Sequence, residues 1–309
     1  MYLLYCDESN IDENAGDFLV YAAVMISSDA APSLSAAIEK IRDDAGIPRD
    51  FRLKFNPRPD NLTHEQFRNL KQAIIQAAVA HNVGLLSYLI LHNICSSMDE
   101  ARRNGINTVC FHFDCCLVRM KSQGLVLLDR FNDQNNLIDG HLTEKFSVGL
   151  KDMPYSKEYR LKHILGPHYT AVGQSRFTSL IDIVVSSMRY AMNVHTRGND
   201  AQRESALALL ALLSPLFVRN NGKDEVSEFG LLFSPKVIKS ARYRDTYQGL
   251  KDFLAEAGSP SPKRSRGSAP TDRPATVRRT IRWSHASAAR TLTLSQRGRA
   301  AMGRRHRAT

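Results

Sequence analysis

The sequence predicts an α/β domain with a mixed sheet flanked by helices, followed by a disordered basic tail. Two apolar runs, one that begins at residue 2 and ends in Asp7 and Glu8 and one over residues 18–26, predict an antiparallel strand pair joined by a polar loop. Further apolar runs then alternate with segments whose apolar residues recur at helical spacing, an order typical of layered α/β proteins with a mixed sheet. From residue 258 the chain is rich in Arg, Ser, Ala and Pro and has little apolar periodicity, which predicts disorder. We therefore divide the chain into a folded domain over residues 1–257 and a tail over residues 258–309.

Apolar spacing and local start and stop signals place the remaining elements. Thr63 is followed three residues later by Gln66, which predicts a capping box at the start of a helix that reaches residue 80. Gly105 interrupts a long helical segment over residues 97–121, and Gly166-Pro167 closes a predicted strand that begins at residue 159. The other predicted elements are, in chain order, a helix over 32–44, a strand or extended connector over 51–55, strands over 83–91 and 124–129, helices over 135–150, 177–194 and 201–218, and, within 227–254, a strand pair or a loop followed by a helix.

The positive charge of the chain belongs to the predicted tail. The formal net charge is +11, but residues 258–309 contain 13 Lys and Arg residues against one acid, whereas residues 1–257 contain 29 bases against 30 acids. Twelve of the 13 bases of the tail are Arg. One explanation is a basic arm for nucleic acid, and the other is translation of a GC-rich stretch in a shifted or unselected frame.

The distribution of apolar residues and cysteines predicts the compartment. The chain lacks the basic and then apolar N-terminal pattern of a signal peptide, and its longest apolar stretch, over residues 206–218, is too short to span a bilayer. Five cysteines form an odd count without a regular framework, which favours reduced thiols. We therefore expect a cytoplasmic protein with no membrane partner.

Three acidic positions end or interrupt apolar segments. Asp7, with Glu8 after it, follows the first apolar run, Asp129 ends the run over residues 124–129, and Asp182 lies inside the apolar helix segment Leu-Ile-Asp-Ile-Val-Val. A buried carboxylate is unfavourable unless it is solvated, paired or bound to a metal. Carboxylates brought together repel one another, and Mg²⁺ or Mn²⁺ would relieve that repulsion. The pattern therefore predicts a site that activates water for attack on a phosphodiester.

Each acid also has a simpler interpretation. A single acid at the end of a strand is commonly a solvated boundary residue. Glu8 is the weakest member of the set, because successive residues of a strand face opposite ways and Asp7 and Glu8 cannot both point at one metal unless the strand twists or ends there. Asp114 and Asp133 are lower-ranked candidates.

Two further groups of residues suggest other chemistry. The segment Cys110-x-His112-x-x-Cys115-Cys116 could bind zinc, but its spacing places Cys110 on one helix side with apolar neighbours, which favours buried thiols. Bases and tyrosines interleaved over residues 155–169 could contact nucleic acid, but a solvated strand edge explains them as well.

Four short segments in chain order resemble one known family. Residues 5–9 read Tyr-Cys-Asp-Glu-Ser, residues 51–56 read Phe-Arg-Leu-Lys-Phe-Asn, residues 125–129 read Leu-Val-Leu-Leu-Asp, and Ser175 precedes the segment Leu-Ile-Asp at residues 180–182. This set resembles the domain of unknown function 3800 family of bacteria and their mobile elements, over about residues 1–195 and at most to about 255. The sequence departs from the family pattern at Ser179, Ile181 and Arg52, where the family usually has glutamine, alanine and an acid.

The resemblance implies a ribonuclease-H-like fold in which acids from the first strand, a middle strand and a late helix converge on metal ions. It implies that Asp7, Asp129 and Asp182 are catalytic residues and ligands of Mg²⁺ or Mn²⁺, with Glu8 as a fourth candidate acid. It also implies that Lys54 contacts a phosphate of the substrate. Ser9 and Ser175 belong to the same motifs and are further candidates for substrate binding.

Together these observations predict a divalent-metal-dependent nuclease that hydrolyses phosphodiester bonds of DNA or RNA. The alternative is a non-catalytic nucleic-acid-binding or protein-interaction module on the same fold, in which the acids only organise the structure. A toxin-like partner of another protein is a third interpretation. The apolar helix over residues 206–218 belongs to the core or to a surface for homo-oligomer formation.

Overall fold

A computed structural model of the chain describes residues 1–12, 14, 16–129, 137–147, 149–153, 156–220 and 223–261. These ranges contain eight strands and seven α-helices. In chain order they are β1 (Tyr2–Ser9), β2 (Phe18–Ser27), α1 (Ala31–Asp44), α2 (His64–Ala80), β3 (Gly84–Leu91), α3 (Met98–Met120), β4 (Gly124–Asp129), α4 (Leu137–Ser147), β5 (Leu150–Met153), β6 (Ser156–Tyr159), β7 (Ile164–Thr170), α5 (Arg176–Thr196), α6 (Arg203–Leu213), β8 (Leu231–Ser234) and α7 (Ala241–Glu256).

Six of the strands form one mixed sheet in the order β7-β4-β1-β2-β3-β8. The pairs β1–β2 and β2–β3 are antiparallel, whereas β1–β4, β4–β7 and β3–β8 are parallel. Strands β5 and β6, which the apolar pattern did not predict as a pair, form a separate antiparallel ribbon. The predicted mixed α/β sheet flanked by helices is therefore confirmed.

The sheet separates two apolar clusters, and β1 contributes alternate residues to each. Tyr5 belongs to the cluster that contains residues of α1, α2, α5, α6 and α7. Leu4 and Cys6 belong to the cluster that contains residues of α3 and α4. Because side chains alternate along a strand, Asp7 lies on the α5 side of the sheet and Glu8 on the α3 side.

Strand β1 continues through the acids instead of ending before them. Asp7, Glu8 and Ser9 are paired with Ala22, Tyr21 and Val20 of β2. The parallel pairing with β4, in contrast, stops at Cys6 and Leu128. The prediction that the strand ends at Asp7 was therefore wrong for its pairing with β2, which continues to Ser9. Only the pairing with β4 ends before Asp7.

Gly105 does not interrupt α3, because the helix is continuous from Met98 to Met120. The glycine lies where the helix approaches β2, and a Cβ atom at this position would be 2.7 Å from Cβ and 2.9 Å from Cγ of Tyr21. Absence of a side chain therefore serves close packing of the helix on the sheet. A glycine in a helical pattern therefore indicates either a close approach to a neighbouring element or a break in the helix.

The end of the sheet also differs from the prediction. The strand predicted to begin at residue 159 and close at Gly166-Pro167 overlaps β7 only at residues 164–165. Strand β7 begins at Ile164 and continues to Thr170 on the edge of the sheet, where proline is tolerated. The segment over residues 51–55 is an extended connector rather than a strand. The region after residue 227 contributes the single strand β8, which is parallel to β3 and followed by α7.

The helix predictions hold with small changes at their ends. The capping box at Thr63 and Gln66 is confirmed by both of its hydrogen bonds. The predicted apolar helix over residues 201–218 is shorter, because α6 ends at Leu213 and a 3₁₀ turn with Pro215 follows. Among the described residues, no helix combines the length and apolar character that a membrane crossing requires.

The packed chain continues beyond residue 257. The carbonyl oxygen of Gly258 accepts hydrogen bonds from Ser214 and Arg219, and that of Pro260 accepts one from the amide of Val226. Ser259 is fully buried. The folded part therefore includes residues 258–261, which we had assigned to the tail, and the predicted disorder of residues 262–309 lies outside the described residues.

The predicted thiol and histidine group lies along α3. All five cysteines are free, and Cys110 and Cys116 are buried in the apolar cluster on the α3 side. His112 is buried, with its ring centroid 5.0 Å from that of Phe229. Burial, followed by the nearby ammonium of Lys236, lowers the pKa of His112 from 6.5 to about 4. These side chains have the surroundings of core residues.

His112 should make the stability of the protein dependent on pH. Its pKa is lower in the folded than in the unfolded chain, so its stabilising contribution is complete above pH 6.5 and is lost as the pH falls towards 4. Between pH 6.5 and pH 4, the free energy of unfolding of wild type should therefore fall by about 3 kcal/mol more than that of His112→Gln. Urea unfolding of both proteins from pH 4 to 8 measures the difference, and parallel curves would contradict the burial of a neutral imidazole.

Candidate active site

Two of the predicted acids lie side by side at the carboxyl ends of neighbouring parallel strands. Cys6 and Leu128 are the last paired residues of β1 and β4, and the next residues are Asp7 and Asp129. Parallel strands in register present equivalent positions to the same face, so both aspartates lie on the α5 side. Open α/β sheets also commonly bind ligands just beyond the carboxyl ends of their strands.

The third predicted acid, Asp182, comes from α5, which packs on this face of the sheet. Leu180 and Val184, on either side of it in sequence, are buried in the apolar cluster beneath the helix. Asp182 Oδ2 accepts a hydrogen bond of 2.7 Å from the backbone amide of Phe55. The extended segment over residues 51–55 therefore passes beside α5 and orients this carboxylate.

The three aspartates interact electrostatically, although they come from three separate elements. Burial, followed by the carboxylates of Glu8, Asp182 and Asp129, raises the pKa of Asp7 well above its ordinary value. Burial also raises the pKa of Asp182; the Phe55 amide and Lys54 oppose the increase, and Asp129 adds to it. The fold thus brings Asp7, Asp129 and Asp182 together, and we name these residues the carboxylate cluster.

Glu8 lies on the opposite face of the strand from the cluster. Its Oε1 atom is 3.1 Å from Nε of Arg102 on α3, and its side chain is 11% exposed. Oε2 is buried and has no hydrogen-bond partner among the described residues. Burial raises the pKa of Glu8 to about 7, Arg102 opposes the increase, and Asp129 adds to it. Glu8 is therefore coupled to the cluster through charge, but the alternation of the strand separates it in space.

The donor atoms of the cluster are those that Mg²⁺ and Mn²⁺ prefer, namely carboxylate oxygens. In the part of the chain that the structure describes, no three His, Cys, Asp or Glu side chains are already arranged to hold a metal ion. Burial raises the pKa values of Asp7 and Asp182 even though the Phe55 amide and Lys54 favour the charged form of Asp182, and a divalent cation would favour the charged forms further. The chemistry of the donor set therefore fits such a cation.

A cavity of about 370 Å³ lies at the end of β1, with Glu8 in its wall. Its wall includes Ser9 and Asn10 at the end of β1 and Arg189 and Asn193 on α5. Asn10 and Asn193 exchange hydrogen bonds of 2.9 and 3.2 Å between their side-chain amides. Arg189 lies seven residues after Asp182, so both are on the same side of α5. The cavity is therefore a polar pocket at the end of β1, and the three aspartates of the cluster are not in its wall.

The other site residues predicted from sequence lie at different places relative to the carboxylate cluster. Lys54 lies near enough to Asp182 to lower the pKa of that carboxyl, and Ser9 is almost buried in β1. Ser175 is the N-cap residue of α5, but it makes no capping hydrogen bond. Asp114 is a structural anchor, because it accepts hydrogen bonds from the Tyr159 hydroxyl and the His163 amide. Asp133 lies outside the described residues.

Sequence reasoning did not predict Arg102 or Arg189 as parts of this region. The spacing of seven residues from Asp182 was a usable signal for Arg189, since it corresponds to two helical turns. Arg102 gave no local signal, because its partner Glu8 is distant in sequence and the contact depends on how α3 packs on the sheet.

The fold and the site define an α/β protein with a partly buried carboxylate cluster at the carboxyl ends of two parallel strands. Comparisons with protein-family models, with curated proteins and with solved structures gave no match to this chain.

Proposed function

We propose that this protein is a divalent-metal-dependent nuclease that hydrolyses phosphodiester bonds of DNA or RNA. The observation that carries the proposal is the meeting of Asp7, Asp129 and Asp182 on one face of the sheet, where burial and mutual repulsion raise the pKa of Asp7. Burial and repulsion outweigh the partners that Asp182 has in Lys54 and the Phe55 amide, so the charged acids are unfavourable where they stand. Neighbouring acids with raised pKa values are typical of sites whose charge is needed for chemistry.

In this proposal the three aspartates hold Mg²⁺ or Mn²⁺, which would activate a water molecule and stabilise the oxygen that leaves the phosphorus. The Phe55 amide keeps Asp182 oriented through its hydrogen bond. Lys54 supplies a positive charge beside Asp182, suited to a phosphate oxygen of the substrate. Arg102 holds Glu8 on the far side of β1, so Glu8 tunes the charge of the cluster and is not a direct ligand.

The proposal is tested by cleavage of labelled single- and double-stranded DNA and RNA by the full chain, with Mn²⁺ or Mg²⁺ and with a chelator. We expect cleavage that requires the metal and falls by about a hundredfold or more in Asp7→Asn, Asp129→Asn and Asp182→Asn, the range for removal of one electrostatic contributor to a transition state. Asn can still accept the hydrogen bonds from the amides of Glu8 and Phe55.

Asp114→Asn is the matched control, because Asp114 is a buried acid that does not belong to the cluster. Its cleavage rate should stay within a few-fold of wild type once the folded fraction is measured by circular dichroism. Equal rates in wild type and all cluster variants would identify a contaminating nuclease. No cleavage of any substrate, together with no Mn²⁺ binding by calorimetry, would leave the non-catalytic module as the better interpretation.

A further inference from the structure

A second cavity, of about 270 Å³, lies at the N-terminal end of α5 between two loops. We name it the arginine cleft. One wall is formed by Arg49, Asp50, Phe51 and Arg52, and the other by residues 171–174 and Arg176. Its lining thus carries three guanidinium groups and one carboxylate.

The arginines of the cleft are only partly neutralised. Arg176 donates a hydrogen bond of 2.9 Å to Glu39. Arg49 and Arg52 are exposed and make no ion pair with any described residue. The first turn of α5 adds to the positive potential, because the free amide groups at the start of a helix favour anions. Ser175 leaves these amides uncapped, and its own hydroxyl is buried without a hydrogen-bond partner among the described residues.

The wall that carries Arg49 and Arg52 is held in place by a buried arginine. Arg42 is 1% exposed, and its Nη2 atom donates to the carbonyl oxygens of Pro48 and Phe51 at 3.0 and 2.9 Å. The opposite wall fits closely against it: Gly173 has a φ of +98°, and a Cβ atom there would be 3.2 Å from Cγ of Arg52. The cleft is therefore formed by two loops that contact each other and whose positions are fixed by these interactions.

The cleft is connected to the carboxylate cluster by two elements. Along α5, Arg176 precedes Asp182 by six residues, a rise of about 9 Å, with the two side chains about 120° apart around the helix axis. Alongside the helix, the extended segment runs from Arg52, in contact with Gly173, to Phe55, whose amide binds Asp182. A bound strand that has one phosphate at the cluster could therefore reach the cleft with a neighbouring phosphate.

We propose that the arginine cleft binds a backbone phosphate of the nucleic acid strand, next to or near the phosphate that is cleaved. This inference rests on the proposed nuclease function and adds to it the way in which the strand is held. Bidentate guanidinium contacts suit phosphate oxygens. Contacts to phosphate carry no base information, so the cleft serves DNA and RNA of any sequence. It also gives a role to Arg52, at the position where the resembling family often has an acid.

The test measures binding separately from cleavage. Fluorescence anisotropy of a labelled single-stranded oligonucleotide, as DNA and as RNA, is recorded for full-length Asp7→Asn with and without Arg49→Gln and Arg52→Gln. The control replaces Arg68 and Arg242 with Gln, which removes the same charge from exposed sites outside the cleft. We expect about tenfold weaker binding for the cleft variant than for the control. Its slope of log K against log salt should be smaller by about 0.7, the value for one phosphate contact of a single strand.

A second measurement locates the contact along the strand. Oligonucleotides just long enough to reach from the cluster to the cleft, with one neutral methylphosphonate moved one position at a time, should bind Asp7→Asn more weakly when the substitution lies at a single position. The cleft variant should be insensitive to that position. The proposal would be overturned if the cleft and control variants bound with equal affinity and showed the same dependence of affinity on the position of the methylphosphonate.

The outcomes for the cleft and for the nuclease are distinguishable. If wild type cleaves but the cleft variant binds like the control, the cleft proposal fails and the nuclease stands. If wild type cleaves nothing while the cleft variant loses affinity and salt dependence, the phosphate site stands and the nuclease fails.

Discussion

Asp7→Asn is expected to raise the free energy of unfolding while it lowers cleavage by about a hundredfold or more. The carboxyl of Asp7 is half-buried and interacts with the charges of Glu8, Asp182 and Asp129, and its raised pKa means that the charged form is disfavoured in the folded chain. An amide removes the charge and still accepts the hydrogen bond from the Glu8 amide. We expect a gain of about 1–2 kcal/mol at pH 7, the usual size of a stabilising replacement at a functional site. Urea unfolding in the presence of a chelator measures it.

Divalent cations should reverse the order of stability. Mn²⁺ binds the folded chain and not the unfolded one in our proposal, so it should raise the midpoint of wild type and leave Asp7→Asn nearly unchanged. Asp114→Asn is again the control, because its carboxylate has hydrogen-bond partners and its loss should destabilise the protein. Destabilisation by Asp7→Asn, or equal effects of Mn²⁺ on both proteins, would contradict a cluster of mutually repelling carboxylates that binds metal.

Gly105→Ala is expected to destabilise the protein by about 2 kcal/mol, although alanine is the better helix former by about 1 kcal/mol. The new methyl group would lie 2.7 Å from Cβ of Tyr21, which is buried in the core. Helix α3 must then move away from β2. Arg102 lies one turn earlier on α3 and would move away from Glu8, so cleavage should fall together with stability.

Gly140→Ala is the matched control for this replacement. Gly140 also lies inside a helix, α4, but a Cβ atom there would meet nothing within 4 Å. It should therefore stabilise the protein by up to about 1 kcal/mol through helix propensity alone. Chemical unfolding and cleavage assays on both variants separate the two effects, and a stabilising Gly105→Ala would show that α3 does not need the close approach.

Local patterns were sufficient to predict most of the elements and the three aspartates. Asp182 stands out because an acid within an apolar helix segment needs a reason, and Asp7 and Asp129 stand out because they follow apolar runs. Gly105 was misread because a glycine that breaks a helix and one that permits close packing have the same local sequence. The difference depends on Tyr21, which comes from a distant strand.

The parts that could not be predicted are those made by contacts between distant segments. The arginine cleft combines Arg49 and Arg52 with Arg176, and no spacing rule connects these positions. The ion pair of Glu8 with Arg102 likewise depends on the packing of α3. Propensity and periodicity describe segments one at a time, whereas charge clusters depend on which faces meet.

The separation of the three aspartates along the chain has a kinetic consequence. More than a hundred residues lie between Asp7 and Asp129, and Asp182 follows on a later helix, so no short fragment can assemble the cluster. Contacts of such high sequence separation require closure of long loops and form late in folding. Repulsion among these carboxylates then raises the free energy of the native state more than that of the transition state. Relief of the repulsion should therefore slow unfolding more than it accelerates folding. The lifetime of the native state would therefore depend on whether a cation is present.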